Sequence, residues 1–340
     1  MDQAVMEKRP VVSVIVPYVN HATFIDTCWE HIDKQTFRDF EVIFVDNGSA
    51  DGSAEKVSAL AAAHPGRVAG ISENRKGIPF ARNAGLHAAR GRYVSFLDVD
   101  DRFTPEKLSV LVPLLEAHPE AGMAYGQTRR IYSDSGRQVI QDTGVAQPGI
   151  NNPPSLALDW ASSFYRLPQT GATLIRKERA VRAGGFPEQL LMGNDDAAFH
   201  IYLALRNKVI YQPFVAVDYF RHDQSEGARL NNDATVHLRY FDAYAHGIEP
   251  LGKSVFEKTG DIRLLGIAQR GMFVNGVRCD RQKLPEADLN KFWNYYRLLL
   301  HAYRVFPDKV ARLIYKTTRR IPAAFFPDRY PLGAKSSGDS

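Results

Sequence analysis

The first 125 residues alternate between two hydrophobic periods, and that alternation limits the fold more than any other feature. Short apolar runs read as strands over 11–16 (closed by Pro17), 41–45, 67–71, 93–97 and 122–125. Between them lie helical spacings over 22–35, with Phe24, Ile25, Cys28, Trp29 and Ile32 in step, and over 53–64, 78–89 and 105–117. Ser53 reads as an N-cap, and Asp46-Asn47-Gly48-Ser49 as turn chemistry. A strand that regularly hands over to a helix predicts an α/β fold with a mainly parallel sheet and crossover helices.

One strand of that series carries an unusual ending. Tyr93-Val94-Ser95-Phe96-Leu97 reads as fully buried, and Asp98, Asp100 and Asp101 follow it at once. Carboxylates delivered together at the carboxyl end of a parallel strand stand where α/β proteins bind ligands. They repel one another unless a cation sits among them, and Mg²⁺ or Mn²⁺ suits such hard oxygen donors. The plainer reading is a capped turn, with Asp101 and Thr104 capping the helix that Pro105 opens. Taken alone, the triplet supports either.

Beyond residue 129 the pattern loosens. Turn residues dominate 129–168, which reads as hairpins and a long loop. Order returns at Gly171-Ala172-Thr173-Leu174-Ile175, then a short basic helix and the turn Gly184-Gly185-Phe186-Pro187. Asp195-Asp196 opens an amphipathic helix reaching Leu205, and strands follow over 209–211 and 215–220. Only helical patterns continue to Arg320. This divides the 340 residues into a catalytic domain over 1–229, a helical region over 230–325 and a flexible tail over 326–340.

Composition excludes several classes. Apolar content of 44% and charged content of 24% are those of a globular protein. Two cysteines, Cys28 and Cys279, make no disulfide framework and point to a reduced, cytoplasmic setting. No signal-peptide core and no spanning apolar stretch is present. The turn after the first strand, Pro17-Tyr18-Val19-Asn20, lacks the glycines of a dinucleotide fold, and no P-loop occurs. A nucleotide site without a glycine cradle would leave the phosphates to a cation.

With these features in place, the chain resembles the family 2 inverting glycosyltransferases of GT-A fold. The resemblance rests on an ordered series: Val14-Ile15-Val16-Pro17 with Asn20; Val45-Asp46-Asn47-Gly48-Ser49-Ala50-Asp51-Gly52-Ser53; Asn74-Arg75-Lys76-Gly77; Ala81-Arg82-Asn83-Ala84-Gly85; Phe96-Leu97-Asp98-Val99-Asp100-Asp101; Gly184-Gly185-Phe186; Asp195-Asp196; and Arg221-His222. It implies a nucleotide-sugar donor, a UDP-sugar favoured, bound around Pro17, Asn20, Asp46, Asn74, Gly77, Arg82 and Asp98. Asp100 is then the direct ligand of a divalent metal, Asp98 supports it or touches the ribose, and His222 is a third protein ligand. Asp46 could instead close an Asx-turn, and Arg82 could face solvent.

The family usually offers a Glu-Asp pair at a helix start, its Asp acting as the base of an inverting displacement. Here Asn194-Asp195 and Asp195-Asp196 are both possible registers. Apolar spacing through Phe199, Ile201, Leu203 and Ala204 favours the second, with Asp196 as base and Asp195 in place of Glu. The bland alternative is that both acids only complement the helix dipole. The usual aromatic before Asn20 is here Val19, with Tyr18 one place earlier.

The resemblance thus implies transfer of one sugar to a hydroxyl of a glycan or lipid-linked acceptor. The Gln-x-x-Arg-Trp motif and membrane helices of processive synthases are absent. A decayed, binding-only transferase fold is the rival, and it predicts loss of the acids that are present here. Between Lys291 and Arg320 stand eight Lys or Arg against Asp308 alone. Two basic amphipathic helices separated by Pro307 suit an anionic membrane surface, at the inner face of the membrane. Packing on the catalytic domain or a homodimer interface is the alternative, and no recognition motif for nucleic acid accompanies the charge.

Overall fold

The computed structural model describes residues 9–191, 193–222, 243–261, 263–268 and 271. Contacts divide the chain into two compact units, Met1–Asn232 and Asp233–Ser340.

In the first unit the apolar runs become β1 (Val12–Tyr18), β2 (Phe40–Asp46), β3 (Val68–Ser72) and β4 (Tyr93–Phe96). Helices α1 (Ile25–Asp33), α2 (Ser53–Ala63) and α3 (Ile78–Ala88) connect them. All four strands run parallel, in the order β3-β2-β1-β4. The sheet continues through β9 (Thr173–Arg176), β6 (Ala121–Tyr132), β10 (Lys208–Arg221) and β5 (Arg102–Phe103). Strand β9 lies antiparallel between β4 and β6, and β10 is parallel to β6. The fold is therefore a mixed, mostly parallel α/β sheet. Short strands β7 (Gln138–Ile140) and β8 (Gly149–Asn151) hang antiparallel on β6 and β10.

The central strands are mainly apolar and buried almost throughout because both faces are covered, and their buried polar side chains are paired, Ser13 with Glu41 and Ser95 with the Thr173 carbonyl. Val12, Val14 and Val16 of β1 join Ile25, Cys28, Trp29 and Ile32 of α1 in one core. On the opposite face, Gly85 of α3 approaches so closely that a Cβ there would lie 2.3 Å from Ile15. Helix α4 (Lys107–Ala117) adds Leu108, Leu111 and Leu115 to the first core.

Several boundaries differ from expectation for physical reasons. Strand β1 runs through Pro17 to Tyr18. The Ile15 carbonyl faces β4, accepting the Leu97 N–H, so Pro17 turns its hydrogen-free nitrogen to the same side, past the end of β4. Gly52, left-handed at φ 85°, rather than Ser53, caps α2, and the Ser53 hydroxyl donates to Asp51. The fifth strand extends to Tyr132, and the two last strands are one, β10, with register shifts around Pro213. The loose stretch contains a helix, α5 (Ser155–Ser162), whose Trp160 is fully buried. Turn residues on both sides hid it. Helices α6 (Lys177–Arg182) and α7 (Asp195–Arg206) complete the unit.

In the second unit a π-helical turn, Ala243–Ile248, leads into α8 (Glu249–Thr259). A Cβ on Gly252 would lie 2.8 Å from the Leu265 backbone, so glycine permits this close helix crossing. The basic segment 291–320 and the tail lie outside the described residues.

Candidate active site

The parallel strands end along one edge, and β4 delivers its acids there. The Asp101 N–H donates to the Asp98 carbonyl at 2.9 Å, closing a turn directly after the strand. Asp101 is buried, and its Oδ1 accepts the Phe220 N–H at 3.0 Å. It does not cap α4. The Leu108 N–H near the start of α4 is instead satisfied by Gln35 Oε1, and Thr104 donates its hydroxyl to Val215. Asp101 thus ties the acidic loop to β10, two residues before His222. There His222 Nε2 lies 3.0 Å from Asp100 Oδ2, and Phe24 stacks on the imidazole at 6.1 Å.

The second acid group is joined to the first by Arg82. This α3 side chain is 5% exposed, donating from Nη1 to Asp195 Oδ2 at 2.8 Å and from Nη2 to Asp98 Oδ1 at 3.0 Å. Burial works against its charge, and Asp195, Asp98 and Asp196 together outweigh that, holding the guanidinium charged. Arg82 is therefore a buried bridge between acids, not a solvent-exposed arginine. Burial raises the pKa of Asp195; Arg82 opposes the rise and Asp196 adds to it. Asp98 is likewise raised by burial, opposed by Arg82 and reinforced by Asp100.

Local structure sets Asp195 and Asp196 on α7. Asn194, left-handed at φ 64°, makes the sharp entry that Asn tolerates. Asp195 turns inward to Arg82. Asp196 is less buried; its Oδ1 accepts the Ala197 N–H at 2.8 Å, and its Oδ2 accepts the Thr170 hydroxyl at 3.3 Å. One turn further, His200 is fully buried, and burial pushes its imidazole down to about 4.

Two residues with structural roles here escaped the sequence reading. Asn83 beside Arg82 accepts the Phe186 N–H at 2.8 Å and donates to the Phe186 carbonyl at 2.9 Å, as a neighbouring strand would. This clasp fixes the Phe186 ring, whose centre lies 5.3 Å from the Arg82 guanidinium. Gly185 must lack a side chain, since a Cβ would lie 2.3 Å from Asn83 Oδ1. Asn47 in turn holds the loop after β3, donating to the carbonyls of Glu73 and Arg75 and accepting the Gly77 N–H. Polar residues on a helix face otherwise made of Pro79, Ala81 and Leu86 are the signal that exposes Asn83.

The remaining expected donor-site residues rim the same edge. Asp46 ends β2 and closes an Asx-turn by accepting the Ser49 N–H at 2.9 Å. Exposed Asn20 is left-handed at φ 54° and braces that turn, its Oδ1 accepting the Ala50 N–H at 2.8 Å. Asn74 is exposed, and Gly77, at φ 134°, opens α3. Pro17 belongs to β1.

Among the described residues no three His, Cys, Asp or Glu side chains converge to hold an ion. The structure brings Asp100 and His222 together and directs Asp98 to Arg82. One carboxylate and one imidazole beside a second carboxylate nevertheless fit a divalent cation that takes part of its shell from substrate phosphates.

Comparison with known proteins follows the same lines. Residues 13–169 match the sequence model of the family described as Glycosyl transferase family 2. Glycosyltransferase GlyG of Streptococcus pneumoniae serotype 4 is 39% identical over 215 residues, 59% of this chain and 67% of GlyG. The chain spans only part of the length of other curated relatives, 39% of one from Bacillus subtilis, 51% of one from Nostoc sp. and 65% of one from Mycobacterium tuberculosis. Among solved structures, S. aureus TarS 1–349 superposes with a TM-score of 0.57 at 16% identity, covering 91% of each chain. The mannosyltransferase PcManGT of Pyrobaculum calidifontis, solved with GDP-Man and Mn²⁺, has a TM-score of 0.51 at 18% identity, covering 94% of this chain and 88% of its own. At such identities the likeness shows the fold, which is GT-A.

Proposed function

The chain belongs to glycosyl transferase family 2, and from that premise we propose a divalent-metal-dependent, inverting transfer of one sugar from a nucleotide sugar to an acceptor hydroxyl. The observation that carries this reading is the Arg82 bridge. It fixes the acid at the end of β4 and the acid at the start of α7 on one guanidinium, at 3.0 and 2.8 Å. A donor-side carboxylate and a base-side carboxylate are thereby held in a set relation.

Each group has a role that its surroundings favour. Asp195 is buried and committed to Arg82, which leaves Asp196 as the acid free to take a proton. In the proposed step Asp196 accepts the acceptor hydroxyl's proton, the oxygen bonds to the anomeric carbon, and the bond to the diphosphate breaks on the opposite face. Thr170, donating to Asp196 Oδ2, and the Ala197 N–H, donating to Oδ1, set the orientation of that carboxylate. Asp100 and His222, with Asp98 beside them, would hold Mn²⁺ or Mg²⁺, which when bound stabilises the negative charge of the departing diphosphate. Asp46, Asn74 and Gly77 line the nucleoside end, with Pro17 and Asn20 shaping it; a UDP-sugar is the favoured donor. The acceptor is a glycan or lipid-linked glycan, and the basic segment 291–320 is proposed to meet an anionic membrane surface.

A thermal-shift screen of nucleoside diphosphates with Mn²⁺ tests this reading, because a ligand that binds only the folded state raises Tm by mass action. A shift for one base over the others supports a donor site. No shift with any nucleoside diphosphate refutes it.

A further inference from the structure

The pleat at the far end of β6 and β10 sorts charge by face. In this parallel pair Tyr132 stands opposite Arg221, Arg130 opposite Tyr219 and Thr128 opposite Val217, so these side chains share one face. Arg129 and Asp218 lie on the other. Strand β7 adds Val139 opposite Arg130, and the residue before β7, Arg137, falls opposite Tyr132. On the second face the charge is balanced, because Arg129 donates to both Asp218 oxygens at 2.7 and 2.9 Å. On the first face Arg130, Arg137 and Arg221 have no carboxylate partner among the described residues.

Their contacts are aromatic instead. The guanidinium carbons of Arg137 and Arg221 lie 4.3 and 5.8 Å from the Tyr132 ring centre. That of Arg130 lies 5.9 Å from the ring of Tyr165, which is 65% exposed. Against the upward push of partial burial, Arg137 and Arg221 draw the Tyr132 hydroxyl below the usual phenol range.

This face leads back to the base. At Val217 it lies against the turn 170–172, where a Cβ on Gly171 would sit 2.9 Å from the valine. Thr170 of that turn donates to Asp196. Tyr219, one step on, has its hydroxyl raised by burial and then by the carboxylates of Asp101 and Asp98. Arg221 is the next step, at about 7 Å per two residues. Three cations gathered with no acid paired to them among the described residues repel one another, and an arriving anion relieves that. A guanidinium fork pairs with phosphate in bidentate fashion, and the tetrahedral spread of phosphate oxygens lets forks approach it from different directions.

We propose that this face is the acceptor subsite, and that the acceptor carries a phosphate group close to the hydroxyl that receives the sugar. The proposal rests on the transferase reading above and adds the chemical class of its acceptor.

The test is calorimetric titration of the full chain at low salt, with UDP and Mn²⁺ saturating so that the donor site is filled. The probes are glycerophosphoglycerol, geranyl pyrophosphate and glycerol. Either phosphate probe is expected to bind at least about tenfold tighter than glycerol, and to weaken as salt is added. Tighter binding of the diester assigns a phosphodiester polymer, and of the pyrophosphate a lipid carrier; both support the proposal. The pair Arg130→Gln/Arg137→Gln, and the exposed Arg137→Gln alone, should weaken phosphate binding, the pair by about tenfold. Arg129→Gln/Asp218→Asn, on the opposite face, should not. Equal affinity for glycerol and the phosphates, or equal loss from the opposite-face pair, overturns the proposal. A UDP–Mn²⁺ thermal shift without phosphate discrimination overturns only this inference, whereas no shift with any nucleoside diphosphate overturns the transferase reading itself.

Discussion

Arg82 and Asp195 meet at 2.8 Å with 5% and 2% of their side chains exposed, so helix α7 is anchored by an ion pair that water does not reach. Their separation of 113 residues makes this a tertiary link rather than a local one. The same guanidinium holds Asp98, so a change at Arg82 reaches both acid groups at once.

Arg82→Gln should therefore destabilise the protein by about 3 kcal/mol, the scale for breaking a buried pair from one side. Arg82→Lys should recover part of the loss, because an ammonium can serve one carboxylate but lacks the planar fork that serves two. Urea denaturation measures both, and an unchanged midpoint in Arg82→Gln would contradict the bridge.

Asn83→Ala should cost about 1–3 kcal/mol, since it leaves the buried Phe186 N–H and carbonyl without partners. Gly185→Ala should be destabilising too, as the new Cβ would collide with Asn83 at a backbone φ of 72°. Thermal melts of the two variants check the clasp, and wild-type Tm in both would remove it.

The strand-helix alternation was legible because each element buries a whole face and so imprints its period on the sequence. The acids at 98 and 100 stood out because they follow an apolar run directly, and those at 195 and 196 because they open an amphipathic helix. What Asp101 and Asn83 do was not, since one carboxylate and one amide serve equally well as cap, ligand or clasp, and only the fold supplies Phe220 and Phe186 as their partners. Order was expected over 171–175, but that this stretch holds a strand, β9, inserted antiparallel between β4 and β6 leaves no trace in periodicity. Helix α5 was lost among Asn and Pro residues that read as loop.

Lys107 gives a prediction with a pH signature. It is fully buried, donates to Ser95 Oγ and lies 3.5 Å from the Phe103 ring centre; burial holds its amine well below the usual lysine range. Between the folded and unfolded pKa the unfolded chain binds the extra proton, so stability rises with pH across that window, and the full penalty applies below it. Lys107→Met should raise Tm at pH 7 and flatten the rise toward pH 10. A lower Tm at pH 7 would show that the amine contributes more than its burial costs.

The two α7 acids should separate functionally. Asp196→Asn should keep nucleotide binding and lose transfer by about 10²-fold or more, as for a missing general base. Asp195→Asn should instead lower stability, because it removes the buried counter-charge of Arg82. If Asp195→Asn is stable and inactive while Asp196→Asn transfers normally, the assignment of the base is reversed.

Metal-dependent use of a nucleotide sugar is the central claim, and release of nucleoside diphosphate measures it most directly. A panel of UDP- and GDP-sugars is to be incubated with the full chain, with Mn²⁺ and with chelator, alongside Asp100→Ala. That variant should melt like the wild type, since the Asp100 side chain lies at the loop edge beside His222 rather than in the core. The account predicts release from at least one UDP-sugar that requires Mn²⁺ and is abolished in Asp100→Ala. Release that chelation and Asp100→Ala both leave unchanged would contradict it.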